Sequence, residues 1–111
     1  MLACVMQNLP VRIVRFVGNH QPGWVACDLV DAEGRRHAFI DKVPSFTIEP
    51  LDAGSDYPKP GIVRCEVLKR WQDEKGLELV RVRTASPDGV ESTEGLCEFT
   101  VLARLITSVS G

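Results

Sequence analysis

Pro60-Gly61-Ile62-Val63-Arg64-Cys65-Glu66-Val67-Leu68 repeats an earlier stretch, Pro22-Gly23-Trp24-Val25-Ala26-Cys27-Asp28-Leu29-Val30, at a distance of 38 residues. Pro, Gly, Val and Cys are identical in the two stretches, and the acidic and aliphatic positions match in kind. Alternation of apolar and polar residues is typical of a strand with one buried face. Because self-similarity at a fixed period indicates how a chain divides, the repeat predicts two related β-hairpin units, at about 10–48 and about 49–106.

Each unit is predicted to contain a hairpin closed by a short turn. The turns are Asp31-Ala32-Glu33-Gly34 and Asp73-Glu74-Lys75-Gly76, with Asp and Gly at the first and fourth positions, where turns favour them. We expect long strands at 10–17, 24–30, 35–43, 62–72, 77–85 and 97–106. We also expect a short strand at 45–48, irregular chain at 49–61 and 86–95, and a frayed tail at 107–111.

The register of the second hairpin follows from charge and burial. With a four-residue loop at 73–76, Val67 lies opposite Val82 and Glu66 lies opposite Arg83. A slip by one residue would place Val67 opposite Arg81 and would bring charge onto the apolar face. We predict the first register, because it pairs apolar residues with each other and opposite charges with each other.

The number and spacing of these strands predict an all-β fold. We expect one domain, residues 1–111, forming a small antiparallel β-barrel of about six strands, with a two-sheet sandwich as the alternative. A barrel is attractive because closure removes exposed sheet edges. A chain of 111 residues can bury a core large enough for stability without disulfides.

Composition excludes some classes of function. Apolar residues make up 44% and charged residues 25% of the chain, and the net charge is −2. Without a basic excess, nucleic-acid binding is disfavoured. No apolar run approaches the roughly 18–20 residues that span a bilayer. No signal-type segment precedes the first strand, so we expect a cytoplasmic protein with no membrane partner, starting at Met1 or Met6.

The cysteines are predicted to be reduced core thiols. Cys27, Cys65 and Cys97 are each followed by an acidic residue and then an apolar one, which places each sulfur on the apolar phase of a strand. The fourth, Cys4, has no such context. Paired cysteines at the spacing of zinc ligands are absent from the sequence. We predict no metal and no cofactor.

Catalysis has little support in the sequence. Histidine is the commonest general base, and the chain has two, His20 and His37. No nucleophile motif accompanies them, and His37 follows Arg35-Arg36 after a turn, so we expect a solvated side chain. An acid–base enzyme using His37 or His20 with Asp28 or Asp41 is therefore the second alternative function.

A protein-interaction module is the function we predict first. It would be a non-enzymatic cytosolic protein that binds another protein or itself, as a subunit, an adaptor or a toxin-neutralising partner. Aromatic and aliphatic residues near the second hairpin tip, with a histidine and a loop tyrosine, form the candidate binding set: Trp24, His37, Tyr57, Leu68, Trp71, Leu77 and Leu79. The first alternative is a barrel that binds a small molecule in a pocket lined by Trp24, Phe39, Tyr57 or Trp71.

Overall fold

Strand β1 (Met6–Gly18) is the centre of the sheet, since it pairs with other strands along both edges. The computed structural model describes residues 6–18 and 23–108. The other strands are β2 (Trp24–Val30), β3 (Arg36–Lys42), β4 (Lys59–Gln72), β5 (Glu78–Arg83), β6 (Glu98–Leu102) and β7 (Thr107–Ser108). Two single 3₁₀ turns complete the secondary structure of these residues, Val43–Ser45 and Ala103–Leu105. The all-β prediction is confirmed. No helix in the described ranges is long and apolar enough to cross a membrane.

The strands form one antiparallel sheet in the order β3-β2-β1-β4-β5-β6, with β7 added to β1. The sheet curls into a half-barrel. Its two end strands are connected through loops: the Ala32 N–H donates to the Thr100 carbonyl at 2.9 Å, and the Thr93 N–H donates to the Ala38 carbonyl at 2.8 Å. The barrel prediction is thus confirmed as far as a half-barrel, while full closure by strand pairing is not confirmed.

The inner face of the half-barrel carries the core. The predicted inward phase of β2 is confirmed, since Val25, Cys27 and Leu29 are all buried. Matching inner positions of the other strands, with three residues from the connecting segments, form one apolar cluster with them: Leu9, Val11, Ile13, Phe39, Val43, Phe46, Val63, Cys65, Val80, Val82, Val90, Phe99 and Val101. These side chains fill the space where a ligand-binding barrel would keep a cavity.

Three loops of the half-barrel share one hydrogen-bond pattern. In Asp31–Arg35 and in Asp73–Leu77, the Asp Oδ1 accepts from the N–H of the third and fifth residues, all at 2.9 Å. Ser92–Leu96 uses the serine Oγ in the same way, at 3.3 and 3.1 Å. The fourth residue of each loop is a glycine with φ near +80°, a conformation that glycine adopts without steric cost.

The predicted register of the second hairpin is confirmed in its centre and differs at its tip. Val67 lies opposite Val82 and Glu66 opposite Arg83. The loop, however, has five residues, and a bulge between Val67 and Lys69 compensates for the additional one. Leu68 is the extra residue of this bulge, 46% exposed. The bulge shifts the alternation of β4 by one residue, so Arg70 lies opposite the buried Val80 and Trp71 lies opposite Leu79 on the outer face.

Two strand boundaries differ from the prediction because Pro and Gly were taken to end a ladder. Strand β4 begins at Lys59, inside the segment predicted to be irregular, with Pro60 opposite Arg12. Gly61 lies in the ladder where β4 approaches β1 closely, since a Cβ there would be 2.8 Å from the Ile13 side chain. Strand β1 begins before Pro10, which lies in the gap between the β7 and β2 ladders, where its missing N–H is tolerated.

The other differences concern the short segments. The predicted strand at 45–48 is wrong: Val43–Ser45 is a 3₁₀ turn with Pro44 in its first turn. The predicted last strand, 97–106, ends at Leu102 and is followed by a second 3₁₀ turn. Residues 107–108 of the predicted frayed tail pair with β1, while 109–111 lie outside the described residues.

Candidate interaction surface

His37 is buried and is not the solvated side chain that the sequence predicted. It is 5% exposed, on the inner face of β3 beside Phe39, and its ring lies 4.8 Å from that of Phe99. Its Nε2 is 2.8 Å from Oδ2 of Asp31, the first residue of the adjacent loop. Nδ1 is buried without a hydrogen-bond partner among the described residues. The pair lies where the loop after β2 meets β6, so it joins the two ends of the sheet.

The pKa of the Asp31 carboxylate is typical of a group with a structural role. Burial acts to raise its pKa, but hydrogen bonds from His37 and from the backbone N–H groups of Arg35 and Glu33 outweigh burial, and the pKa is lowered. A carboxylate held ionised by three donors is a poor general acid or base near neutral pH. This aspartate therefore stabilises the loop and the buried imidazole.

The carboxylates proposed as partners of His37 lie elsewhere. Asp28 is opposite Ala38 on the outer face, where it binds Arg12 at 3.0 Å and Arg36 at 3.4 Å. Asp41 accepts from the backbone N–H of Lys42 at 2.7 Å. His20 lies outside the described residues. The acid–base arrangement of Asp28 with His37 is thus wrong, because the two side chains are on opposite faces of the sheet.

The thiols that the structure describes behave as core residues. Cys27 and Cys65 are buried free thiols, and Cys97 is a half-buried one. Burial, with a smaller contribution from Asp28 and Asp41, raises the pKa of Cys27 to about 12, and burial raises that of Cys65 to about 11. Neither is a nucleophile near neutral pH, since the thiolate is the reactive form. Within residues 6–18 and 23–108, no cluster of His, Cys, Asp and Glu could hold a metal ion.

The charged outer face is a set of ion pairs. Arg64 binds Asp88 through two hydrogen bonds, at 2.8 and 3.1 Å. Arg81 and Arg83 both approach Glu98, at 3.6 Å. Asp88, in the loop before β6, and Glu98, the first residue of β6, thus neutralise the arginines of the neighbouring strands.

Two candidate binding residues lie outside the second hairpin and have structural contacts. Trp24 begins β2, is half-buried, and lies opposite Lys42 and Gly18. Tyr57 packs against the core, and its hydroxyl donates to the Asp52 carbonyl at 2.7 Å. With Phe39 fully buried, the residues predicted to line a ligand pocket do not converge on one site.

The outer face of the β4–β5 hairpin brings three apolar side chains together. Trp71 lies opposite Leu79, and Leu79 lies opposite Leu102 of β6. All three are half-buried and lie on the face opposite to the buried Val80 and Val101. Next to them, Leu77 ends the loop and is 45% exposed. We call Trp71, Leu77, Leu79 and Leu102 the hairpin surface.

Two shallow grooves flank the hairpin surface. The first, about 260 Å³, is lined by Trp71 and Leu79, and the second, about 200 Å³, by Leu77 and Leu102. Arg70, Glu78 and Ala103 line both, and Arg104 lines the second. Arg70 lies opposite Val80 in the register and therefore has the inward phase of the strand, whereas Trp71 and Leu79 have the outward phase. The Lys69 ammonium lies 5.3 Å from the centre of the Trp71 ring, within the range of a cation–π contact. Leu68 lines neither groove.

On the β6 side of this site, the sequence-based prediction missed three residues. Leu102 was available from the pattern, because it is an apolar residue on the outward phase of a strand whose inward phase is already apolar. Ala103 and Arg104 were not, since the predicted strand would have carried them away from the hairpin, whereas the 3₁₀ turn keeps both beside it.

A second apolar region surrounds Ile48, whose side chain is fully exposed at 103%. One groove beside it, about 500 Å³, is lined by Val43, Pro44 and Leu51 among others. Another, about 330 Å³, is lined by Phe46 and Ile62 among others. Unlike the hairpin surface, this region contains no aromatic side chain with appreciable exposure, because Phe46 is 1% exposed.

No family model, curated protein or solved structure matches the chain significantly. The hypotheses about its function therefore depend on the geometry above.

Proposed function

We propose that this protein is a non-catalytic, cytosolic protein-interaction module that binds a partner protein through the hairpin surface. The observation that carries the proposal is the row Trp71, Leu79 and Leu102 on the solvent-facing side of the sheet. Apolar residues joined into a patch on a polar surface mark binding sites. Tryptophan is among the residues that contribute most to binding energy at protein interfaces.

The surroundings of the hairpin surface support binding rather than chemistry. A reaction centre would need a nucleophile or an acid–base pair at the grooves. The groove residues are aromatic, aliphatic, guanidinium, amide and one carboxylate, Glu78. The only described histidine is buried at the other end of the sheet order, on β3. The first alternative, a small-molecule barrel, has less support because core side chains fill the interior.

The rigidity of the support also favours recognition by this hairpin. Leu79 is flanked by strands on both sides, β4 and β6, so its backbone position is fixed by two ladders. The 73–77 loop is held by two hydrogen bonds to Asp73 Oδ1. A preorganised surface loses little conformational entropy when it binds.

The same proposal includes an internal duplication. The two repeated stretches lie on β2 and β4, the strands that flank β1 on its two edges. Both direct their cysteine into the core, and both hairpins use the same Asp-x-x-Gly-x loop. These matches support descent of both units from one β-hairpin.

Affinity capture with matched variants tests the proposed function. The full chain, Trp71→Ala and Ile48→Ser serve as baits in native lysate. Ile48→Ser removes an exposed apolar side chain of the other patch and serves as the control. We expect a protein retained by wild type and Ile48→Ser but lost with Trp71→Ala, with a loss of about 2 kcal/mol, or about 30-fold in Kd, once the partner is purified.

Two measurements keep the result interpretable. Far-UV circular dichroism and the melting temperature must show that Trp71→Ala remains folded. Sedimentation of wild type and Trp71→Ala tests whether the partner is a second copy. A chain that stays monomeric and whose captured proteins do not depend on Trp71 would refute the proposal.

A further inference from the structure

Two guanidinium groups share one carboxylate on the outer face of β1–β3. Arg12 donates two hydrogen bonds to Asp28, at 3.0 and 3.3 Å, and Nη1 of Arg36 lies 3.4 Å from Oδ2 of the same carboxylate. All three residues lie on the outer face, since the residue that follows each of them in its strand is buried. Arg36 forms no side-chain hydrogen bond within the described residues, so its N–H groups are available to another acceptor.

The Asp28 cluster has an excess of one positive charge. The corresponding place in the second unit is balanced, because Arg81 and Arg83 approach Glu98 and Arg83 also lies opposite Glu66. Two guanidinium groups that contact one carboxylate repel each other, and the carboxylate compensates for only one of them. A second anion beside them would remove this repulsion.

The loop after β2 does not cancel the excess charge. Asp31 of this loop is turned into the core, where it contacts His37. The other charged residues of the loop, Glu33 and Arg35, are both exposed and have opposite signs. A single unmatched positive charge is complementary to a singly charged anion, such as a carboxylate.

The Asp28 cluster forms one side of a groove of about 400 Å³. The groove lies beside residues 9–11 of β1, which on this edge fall between the β7 and β2 ladders. Its remaining lining is apolar and includes Pro10, Val30 and Leu105. Sites for small molecules have volumes of about 300–1,000 Å³ and combine apolar walls with a few polar groups that fix orientation.

We propose that this groove binds a small organic acid that has one carboxylate and an aliphatic chain. The carboxylate binds the available N–H groups of Arg36, beside Arg12, and the chain lies against Val30 and Leu105. Guanidinium groups bind carboxylates through two parallel hydrogen bonds, which gives both strength and orientation. The groove is on β1–β3 and the hairpin surface is on β4–β6, so this inference goes beyond the proposed function and does not depend on it.

Titration of the full isotope-labelled chain with hexanoate, at neutral pH and low salt, tests the site by two-dimensional NMR. We expect saturable shifts of the backbone amide signals of the groove residues. Two further probes separate the two requirements, since acetate has the charge without the chain and hexanamide has the chain without the charge. Each should bind at least roughly tenfold more weakly than hexanoate, because one loses several buried methylene groups and the other loses a charged hydrogen bond.

Matched variants assign the binding to this groove. Arg36→Gln should weaken hexanoate binding roughly tenfold, since a charged hydrogen bond is lost. Val30→Ser should weaken the binding of hexanoate but not that of acetate. The controls Arg35→Gln and Val17→Ser change exposed residues outside the groove and should leave the affinity within about twofold. All four positions are exposed, so we expect folded variants, with unchanged signals away from the groove.

Three results would overturn the inference. Acetate or hexanamide might bind as tightly as hexanoate only if one of the two requirements were absent, and either result would refute the site. Equal losses for Arg36→Gln and Arg35→Gln would refute it as well, because they would indicate a general field. Tighter binding of an N-acetylated dipeptide ending in leucine would refute the small acid in favour of the C-terminal carboxylate of a polypeptide. Trp71→Ala should bind hexanoate as the wild type does, so failure of this inference leaves the interaction module intact.

Discussion

Removal of the Asp31 carboxylate should destabilise the fold more than removal of its counterpart in the second hairpin. Asp31 and Asp73 hold their loops by the same two backbone hydrogen bonds, all at 2.9 Å. Asp31 alone also binds a buried histidine, at 2.8 Å. Comparison of Asp31→Ala with Asp73→Ala therefore cancels the loop contribution and isolates the contact with His37.

The size of the loss in unfolding free energy depends on which hydrogen-bonding groups each variant leaves without a partner. The loop N–H groups are exposed and can bind water, so their loss costs about 1 kcal/mol in either hairpin. In Asp31→Ala, the His37 ring, which is 5% exposed in the wild type, has no partner at either nitrogen, since Nδ1 is already unpaired. A buried donor without a partner costs about 1–3 kcal/mol. We expect this difference between the two variants in the free energy of unfolding.

Urea unfolding followed by far-UV circular dichroism at pH 7 measures both variants. A difference of 1–3 kcal/mol is well resolved for a domain of this size, with slopes of about 1–3 kcal/mol per molar urea. If the unfolding free energies of Asp31→Ala and Asp73→Ala agree within about 0.5 kcal/mol, the reasoning is refuted, because the hydrogen bonds of His37 would then be satisfied without the carboxylate.

The contact between Asp31 and His37 also predicts a loss of stability in acid. The pKa of Asp31 is lowered in the folded chain, where the hydrogen bonds from His37 and the loop outweigh the effect of burial. A lowered pKa stabilises the fold fully above the unfolded value of about 3.9, and this stabilisation is lost as the pH falls through the folded value. The difference between wild type and Asp31→Ala should therefore decrease below about pH 4, and a constant difference would contradict this assignment.

Three further predictions concern the core. Gly61→Ala should cost about 1–3 kcal/mol in urea unfolding because its Cβ would lie 2.8 Å from Ile13, whereas Gly54→Ala, with its nearest atom at 3.4 Å, should be nearly neutral; equal effects would contradict the close approach. Thr84→Val should cost about 1–2 kcal/mol, since the Val90 carbonyl loses its 2.8 Å bond from a buried hydroxyl; an unchanged urea midpoint would refute it. Because the pKa values of Cys27 and Cys65 are raised to about 12 and about 11, iodoacetamide at pH 8 should label them only after unfolding, as peptide mass spectrometry would show; rapid labelling of the native chain would refute their burial.

The sequence alone was sufficient to predict strand faces and register where apolar and polar residues alternate regularly. The phase of β2, the central register of the second hairpin and both hairpin turns follow from apolar periodicity and from Asp and Gly at turn positions. The bulge at Leu68 was not predictable, since a four-residue loop without a bulge and a five-residue loop with one give the same register around Val67. The two solutions differ only in local backbone geometry, which the pattern of apolar residues does not encode.

The error at His37 arose because its exposure was predicted from the adjacent residues in the sequence and not from the alternation of inward and outward residues along the strand. His37 follows two arginines and was expected in solvent, yet it lies two residues before the buried Phe39, on the same face. Its partner Asp31 was taken only as a turn residue. Of the candidate site, Trp71, Leu77 and Leu79 are brought together, while Trp24 and Tyr57 are not. Contacts between distant strands decide this separation, and a single sequence gives no information on them.

The central place of β1 has a consequence for synthesis of the chain. Residues 6–13 pair with 59–66, so the strand leaves the ribosome long before the segment that covers this edge. An uncovered strand recruits other chains. Pro10 and Arg12 lie within this stretch, and proline and charged residues are the types that oppose such pairing. Both also fit the native ladder, so we expect these two residues to oppose aggregation of the nascent chain without disturbing the finished sheet.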